Sequence, residues 1–159
     1  MWRDHRWPTD PVRDTVSGVQ HRGIYGIWLD ADGRVPLIRK SRGPYRGLLD
    51  LPGGAPELGE APEQTLRREL IEECGVTEAH VLSWHEFDLV VVRDSSGHPI
   101  DFRHSGLIAV LDVTQAPSPV RDVEDVTVVE LRDPRRLPVA ECSALLVEGL
   151  THLGVVLDV

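Results

Sequence analysis

Residues 62–74 (PEQTLRRELIEEC) are punctuated as an α-helix at both ends, and this constrains the fold more than any other stretch. Pro62 suits the first turn, Glu63 favours the positive end of the helix dipole, and Gly75 supplies the left-handed stop. Leu66, Leu70, Ile71 and Cys74 recur at helical spacing and predict an apolar stripe. On both sides of the helix lie runs rich in β-branched and aromatic residues: 23–30, 34–40 and 48–51 before it, 81–93, 100–113 and 126–131 after it. Asp30-Ala31-Asp32-Gly33 and Asp94-Ser95-Ser96-Gly97 carry turn chemistry between consecutive runs. Residues 140–153, with Leu145, Leu146, Leu150 and Leu153, predict a second helix. Strands interrupted by one helix and closed by another predict an α/β layered domain with a largely antiparallel or mixed sheet.

The chain of 159 residues suffices for one domain, and its 41% hydrophobic and 27% charged residues are those of an ordinary globular protein. Residues 1–20 are polar and contain proline; they are expected to form a flexible leader or an added edge element before a single domain over 21–159. The formal net charge of −9 argues against capture of duplex nucleic acid, which needs a basic face. Residues 1–8 (MWRDHRWP) lack a signal-peptide apolar core and no run is long enough to cross a bilayer, so no membrane partner and a cytoplasmic location are expected. Cys74 and Cys142 are far apart and read as reduced core thiols.

Glu69, Glu72 and Glu73 stand at i, i+3 and i+4, within reach of one another on one side of the helix. Repulsion between such exposed carboxylates costs only tenths of a kcal/mol, so a solvated acidic face is physically admissible. Three clustered carboxylates also form a hard-oxygen set suited to Mg²⁺ or Mn²⁺. Gly53 and Gly54, just upstream, allow close backbone approach, and Glu60 lies in the loop entering the helix. From Gly54 to Val76 the chain reads G-x5-E-x7-R-E-L-x-E-E-x-G-V, which resembles in full the signature of the Nudix hydrolases. All nine specified positions match, an event of order 10⁻⁹ per starting point by chance at average residue usage. One local departure is Ala61, where many members carry a Ser or Thr that caps the helix.

The resemblance implies an α/β/α sandwich with a mixed sheet and a metal-dependent hydrolase that cleaves a phosphoanhydride in a nucleoside diphosphate linked to another group. It implies metal binding by Glu69, Glu72 and Glu73 with the carbonyl of Gly53, and a structural Arg68 that holds a neighbouring glutamate by a bidentate pair. Glu69 is the first choice as general base, with Glu124 in a later acidic loop as the second candidate. Arg39, Arg42 and Arg46 lead into the motif, beside Lys40, and are the expected contacts to substrate phosphate. Trp28, Tyr45, Trp84 and Phe102 either stack on a base or fill the core. The histidines show no metal-ligand spacing.

Markers of individual substrate classes within the family are mostly absent. Val91 and Val92 occupy the zone where ADP-ribose cleavers carry a proline, the tyrosine of dinucleoside-polyphosphate cleavers is missing, and the NADH-type run does not occur. Residues 39–52 resemble coenzyme A cleavers only in fragments, and no asparagine exists to read an oxidised purine. The expected partner is therefore a small-molecule nucleotide or nucleoside diphosphate derivative, with homodimer formation open. The alternative is a Nudix-like ligand-binding or regulatory domain without turnover, against which retention of all three glutamates argues. An isopentenyl diphosphate isomerase is disfavoured because Cys74 lies inside the helix.

Overall fold

The computed structural model describes residues 18–118 and 126–157. Its elements run β1 (Val19–Ile27), β2 (Val35–Lys40), β3 (Leu49–Asp50), β4 (Gly53–Gly54), α1 (Pro62–Cys74), β5 (His80–Arg93), β6 (Pro99–Asp112), β7 (Val126–Arg132) and α2 (Ala144–Thr151), with 3₁₀ turns at Pro134–Arg136 and Val139–Glu141. One sheet has the order β4-β1-β6-β5 and the other β3-β2-β7. β1 and β6 are parallel, from Val19 opposite Phe102 to Ile27 opposite Val110, and the other pairs are antiparallel. The sheet is mixed, as expected, and β1 begins at Val19, inside the stretch expected to be leader.

Two apolar layers sandwich the sheets. On one face Leu66, Leu70 and Cys74 of α1 pack with Ile24, Trp28, Leu107, Ala109 and Leu111. On the other, Leu145, Leu146 and Leu150 of α2 pack with Ile27, Leu37, Leu51, Phe87 and Ile108. Burial of Leu66 and Leu70 at 1% exposure contributes about 1.5–3 kcal/mol each, which outweighs the repulsion among the carboxylates of Glu69, Glu72 and Glu73 on the neighbouring side of α1. Both cysteines are buried and free, and burial pushes the Cys74 thiol up to about 12. Trp28, Tyr45 and Phe102 are core residues. Among the described residues no helix is long and apolar enough to cross a membrane.

The second helix is shorter than the expected 140–153. The chain is extended at Ser143, whose N–H donates to Leu49 O at 2.9 Å and whose hydroxyl donates to Asp50 Oδ1 at 2.6 Å. The Ser143 hydroxyl oxygen in turn accepts the Leu146 N–H at 3.0 Å and caps α2. Docking onto β3 thus overrides helical periodicity before Ala144.

Candidate active site

The Gly53-Gly54 strand and the acidic side of α1 form one unit. Gly53 has φ 148°, and a Cβ there would collide with the Ile24 carbonyl oxygen and lie against Tyr25, so only glycine pairs this closely with β1. Its N–H donates to Glu73 Oε2 at 2.9 Å. A Cβ on Gly54 would stand 2.5 Å from Glu69 Oε1 and 2.8 Å from its Cδ, so the bare Gly54 backbone is the floor on which the Glu69 carboxylate rests. Glu73 is buried, Glu69 is nearly so, and Glu72 is half-exposed.

Arg68 organises the entry to this unit. Its Nε and Nη2 donate to Glu60 Oε2 and Oε1, each at 2.9 Å, which is a bidentate pair. Nη2 also reaches Ala55 O at 3.1 Å, and Nη1 reaches Glu69 Oε1 at 3.0 Å and Glu72 Oε2 at 3.4 Å. Glu60 further accepts the Glu57 N–H at 2.7 Å and the Thr65 hydroxyl at 3.1 Å. The Arg68 hydrogen bonds hold the Glu60 carboxyl down to about 2. The helix start, which lacks a hydroxyl at Ala61, is secured by Gln64, whose side-chain oxygen accepts the Ala61 N–H at 2.8 Å.

Burial raises the Glu73 carboxyl well above the usual range, with Glu69 and Asp50 adding repulsion, while the Gly53 N–H and Lys40 oppose the shift. Burial likewise raises Glu69, against the pull of Arg68. Partly dehydrated carboxylates that repel each other beside a glycine strand are a donor set that a hard divalent cation fits. Among the described residues no three acidic, histidine or cysteine side chains already surround one point, and Arg68 engages both Glu69 and Glu72.

The expected phosphate contacts are distributed differently. Arg39 donates to Glu130 Oε2 at 2.7 Å and to Gly47 O at 2.9 Å, so its guanidinium ties β2 to β7 and to the loop 41–47. Arg42 and Arg46 are exposed on that loop. Glu124 lies outside the described residues. Lys40, the only lysine, lies where its charge favours ionised Glu73 and Asp50. Asp50 with Ser143, and His104 with Tyr25 and Tyr45, are buried polar contacts that carry no local sequence signal, because the partners come from separate elements.

The fold agrees with that of known proteins. The chain is 33% identical over 85 residues to an ADP-ribose pyrophosphatase of Methanocaldococcus jannaschii, covering 54% of this chain and 47% of the relative. It is 56% identical over 56 residues to an 8-oxo-dGTP diphosphatase of Escherichia coli, covering 35% and 43%. The chain spans about half the length of the curated relatives it matches, from 42% to 60%. A MutT NUDIX hydrolase from Burkholderia pseudomallei has the same fold, with a TM-score of 0.60 at 21% identity, over 84% of this chain and 97% of that one. The NUDIX domain model matches residues 19–148, the stretch from the first described strand into the last helix, and the protein therefore belongs to the NUDIX domain family.

Proposed function

We propose that the protein hydrolyses a phosphoanhydride bond in a nucleoside diphosphate linked to another group, with Mg²⁺ or Mn²⁺ as cofactor. The observation that carries this reading is the seating of Glu69 on Gly54 and of Glu73 on the Gly53 N–H, which presents two dehydrated carboxylates on one glycine strand. Glu69, Glu72 and Glu73, with the Gly53 carbonyl, would hold the ion. When bound, it neutralises substrate phosphate and acidifies water.

The chain's own residues supply orientation and proton transfer. Gly53 holds the Glu73 carboxylate through its N–H, so this ligand is placed before substrate arrives. Glu69 takes the proton of the attacking water as the new P–O bond forms, and the bridging P–O bond breaks with its electron pair leaving on the departing phosphate. Arg68 stays on Glu60 and steers Glu69 rather than the substrate. Arg42 and Arg46 meet the diphosphate from the loop.

ADP-ribose is the first compound to test, because the Methanocaldococcus jannaschii relative is named for that activity, although this chain lacks the proline marker. A hydrolysis screen over ADP-ribose, nucleotide sugars, dinucleoside polyphosphates, coenzyme A, 8-oxo-dGTP and capped RNA should yield at least one substrate cleaved into two phosphorylated products. Binding of one of these compounds without turnover in Mg²⁺ or Mn²⁺ would establish the ligand-binding alternative instead.

A further inference from the structure

A buried imidazole lies behind the candidate site, on the face of the sheet opposite α1. His104 of β6 is 2% exposed and is bound on both ring nitrogens: Tyr25 Oη lies 2.8 Å from Nε2 and Tyr45 Oη 3.0 Å from Nδ1. Phe87 and Phe102 pack against its ring with centroids 5.1 and 5.5 Å away, and His21 closes a further side at 5.3 Å. A neutral imidazole has one N–H and one bare nitrogen, so one tyrosine accepts from the ring and the other donates to it. Burial pushes His104 down to about 3 and raises both tyrosines, so the three groups share one uncharged arrangement.

Each tyrosine leads to a different part of the site. Tyr25 is the register partner of Gly53, the residue whose N–H holds Glu73, and its ring fills the space that a Cβ on Gly53 would enter. Tyr45 belongs to the loop 41–47 that carries Arg42 and Arg46, a loop also fastened by Arg39 at Gly47 O and by the Ser95 N–H at Pro44 O. We propose that His104 is a positioning residue: a two-sided clamp that, through Tyr25, holds the Gly53-Gly54 strand under the glutamates and, through Tyr45, holds the arginine-bearing loop against the sheet. The clamp rests on the hydrolase reading for its effect on turnover, but its effect on the glutamates stands on geometry alone.

The two arms make the clamp separable by experiment. Tyr25→Phe keeps the ring on Gly53 but frees it from His104, and should weaken Mn²⁺ binding to the substrate-free protein about 3–10-fold, read by electron paramagnetic resonance or calorimetry. Tyr45→Phe should leave Mn²⁺ affinity within 2-fold and raise KM about 3–10-fold with little change in kcat. His104→Phe should show both effects, and His104→Gln, which restores a donor and an acceptor, should recover part of each. Imidazole ¹⁵N shifts should report a single neutral tautomer in the wild-type protein. Parallel changes in Mn²⁺ affinity and KM that track the loss of thermal stability across all variants would overturn the clamp and leave an ordinary core network. So would folded variants with unaltered Mn²⁺ affinity and KM. If the wild-type protein hydrolyses no compound, the Mn²⁺ and ¹⁵N measurements still decide the Tyr25 arm, whereas the hydrolase reading alone fails.

Discussion

Gly54→Ala separates what Gly54 does for the fold from what it does for chemistry. Gly54 is not among the glycines with positive φ, so alanine can adopt its backbone without strain. The added methyl would lie 2.5 Å from Glu69 Oε1, whereas ordinary contact begins at 3.4 Å, so the carboxylate must withdraw by about 1 Å. That group is the far end of a flexible side chain and its retreat is inexpensive. Together with the lower chain entropy of alanine in the unfolded state, this keeps the stability change within about 1 kcal/mol. A shift of about 1 Å in a reacting group, by contrast, costs about 10²-fold in rate. The expected result is a folded variant with a thermal midpoint within about 4 °C of wild type and a kcat lower by about two orders of magnitude at saturating substrate and metal. Gly53→Ala provides the contrast, because its methyl meets backbone and should impair folding itself. Wild-type kcat in folded Gly54→Ala would refute the placement of Glu69 at the reaction centre.

Arg68→Lys keeps the charge but cannot span both Glu60 oxygens, so it should lose about 1.5–3 kcal/mol in denaturant titration; a loss below about 0.5 kcal/mol would show the pair to be a surface contact. Ser143→Ala removes both the α2 cap and the hydroxyl on buried Asp50, and should cost about 2–4 kcal/mol by the same assay. The His104 imidazole, faced by His21, Lys40, Tyr25 and Tyr45, titrates near 3 when folded and near 6.5 when unfolded. Between those values the unfolded chain binds one proton more, so this group lowers stability as pH falls, by about 1.4 kcal/mol per unit. The slope of stability against pH in His104→Gln should be more negative than wild type by that amount between pH 4 and 6, since the other titrating groups are common to both; equal slopes would contradict a neutral buried imidazole.

Features set by neighbouring residues were legible in the sequence. The bounds of α1 follow from Pro62 and Gly75, and the Arg68 pair with Glu60 spans only eight residues. Features that join distant segments were not. Ser143 shortens the second helix because it meets Asp50, 93 residues away, and Arg39 turns to Glu130 at a separation of 91. β1 extends back to Val19 because parallel pairing with β6 continues there to Phe102. His104 carries no motif because its partners lie 79 and 59 residues away, and a lone histidine in an apolar strand gives no sign of two tyrosines closing on it.

The most direct test of the account is hydrolysis of the best substrate from the screen by metal-stripped protein, before and after Mn²⁺ or Mg²⁺ is added, with Glu73→Gln assayed alongside. The variant replaces one carboxylate oxygen by an amide nitrogen in a side chain of the same shape, so the group beside the Gly53 N–H can no longer ionise to hold a cation. Turnover should be absent without metal and restored with it, and the folded Glu73→Gln protein should be slower by orders of magnitude under both ions. Turnover that persists in EDTA, or a Glu73→Gln enzyme with wild-type rate at limiting metal, would contradict the account.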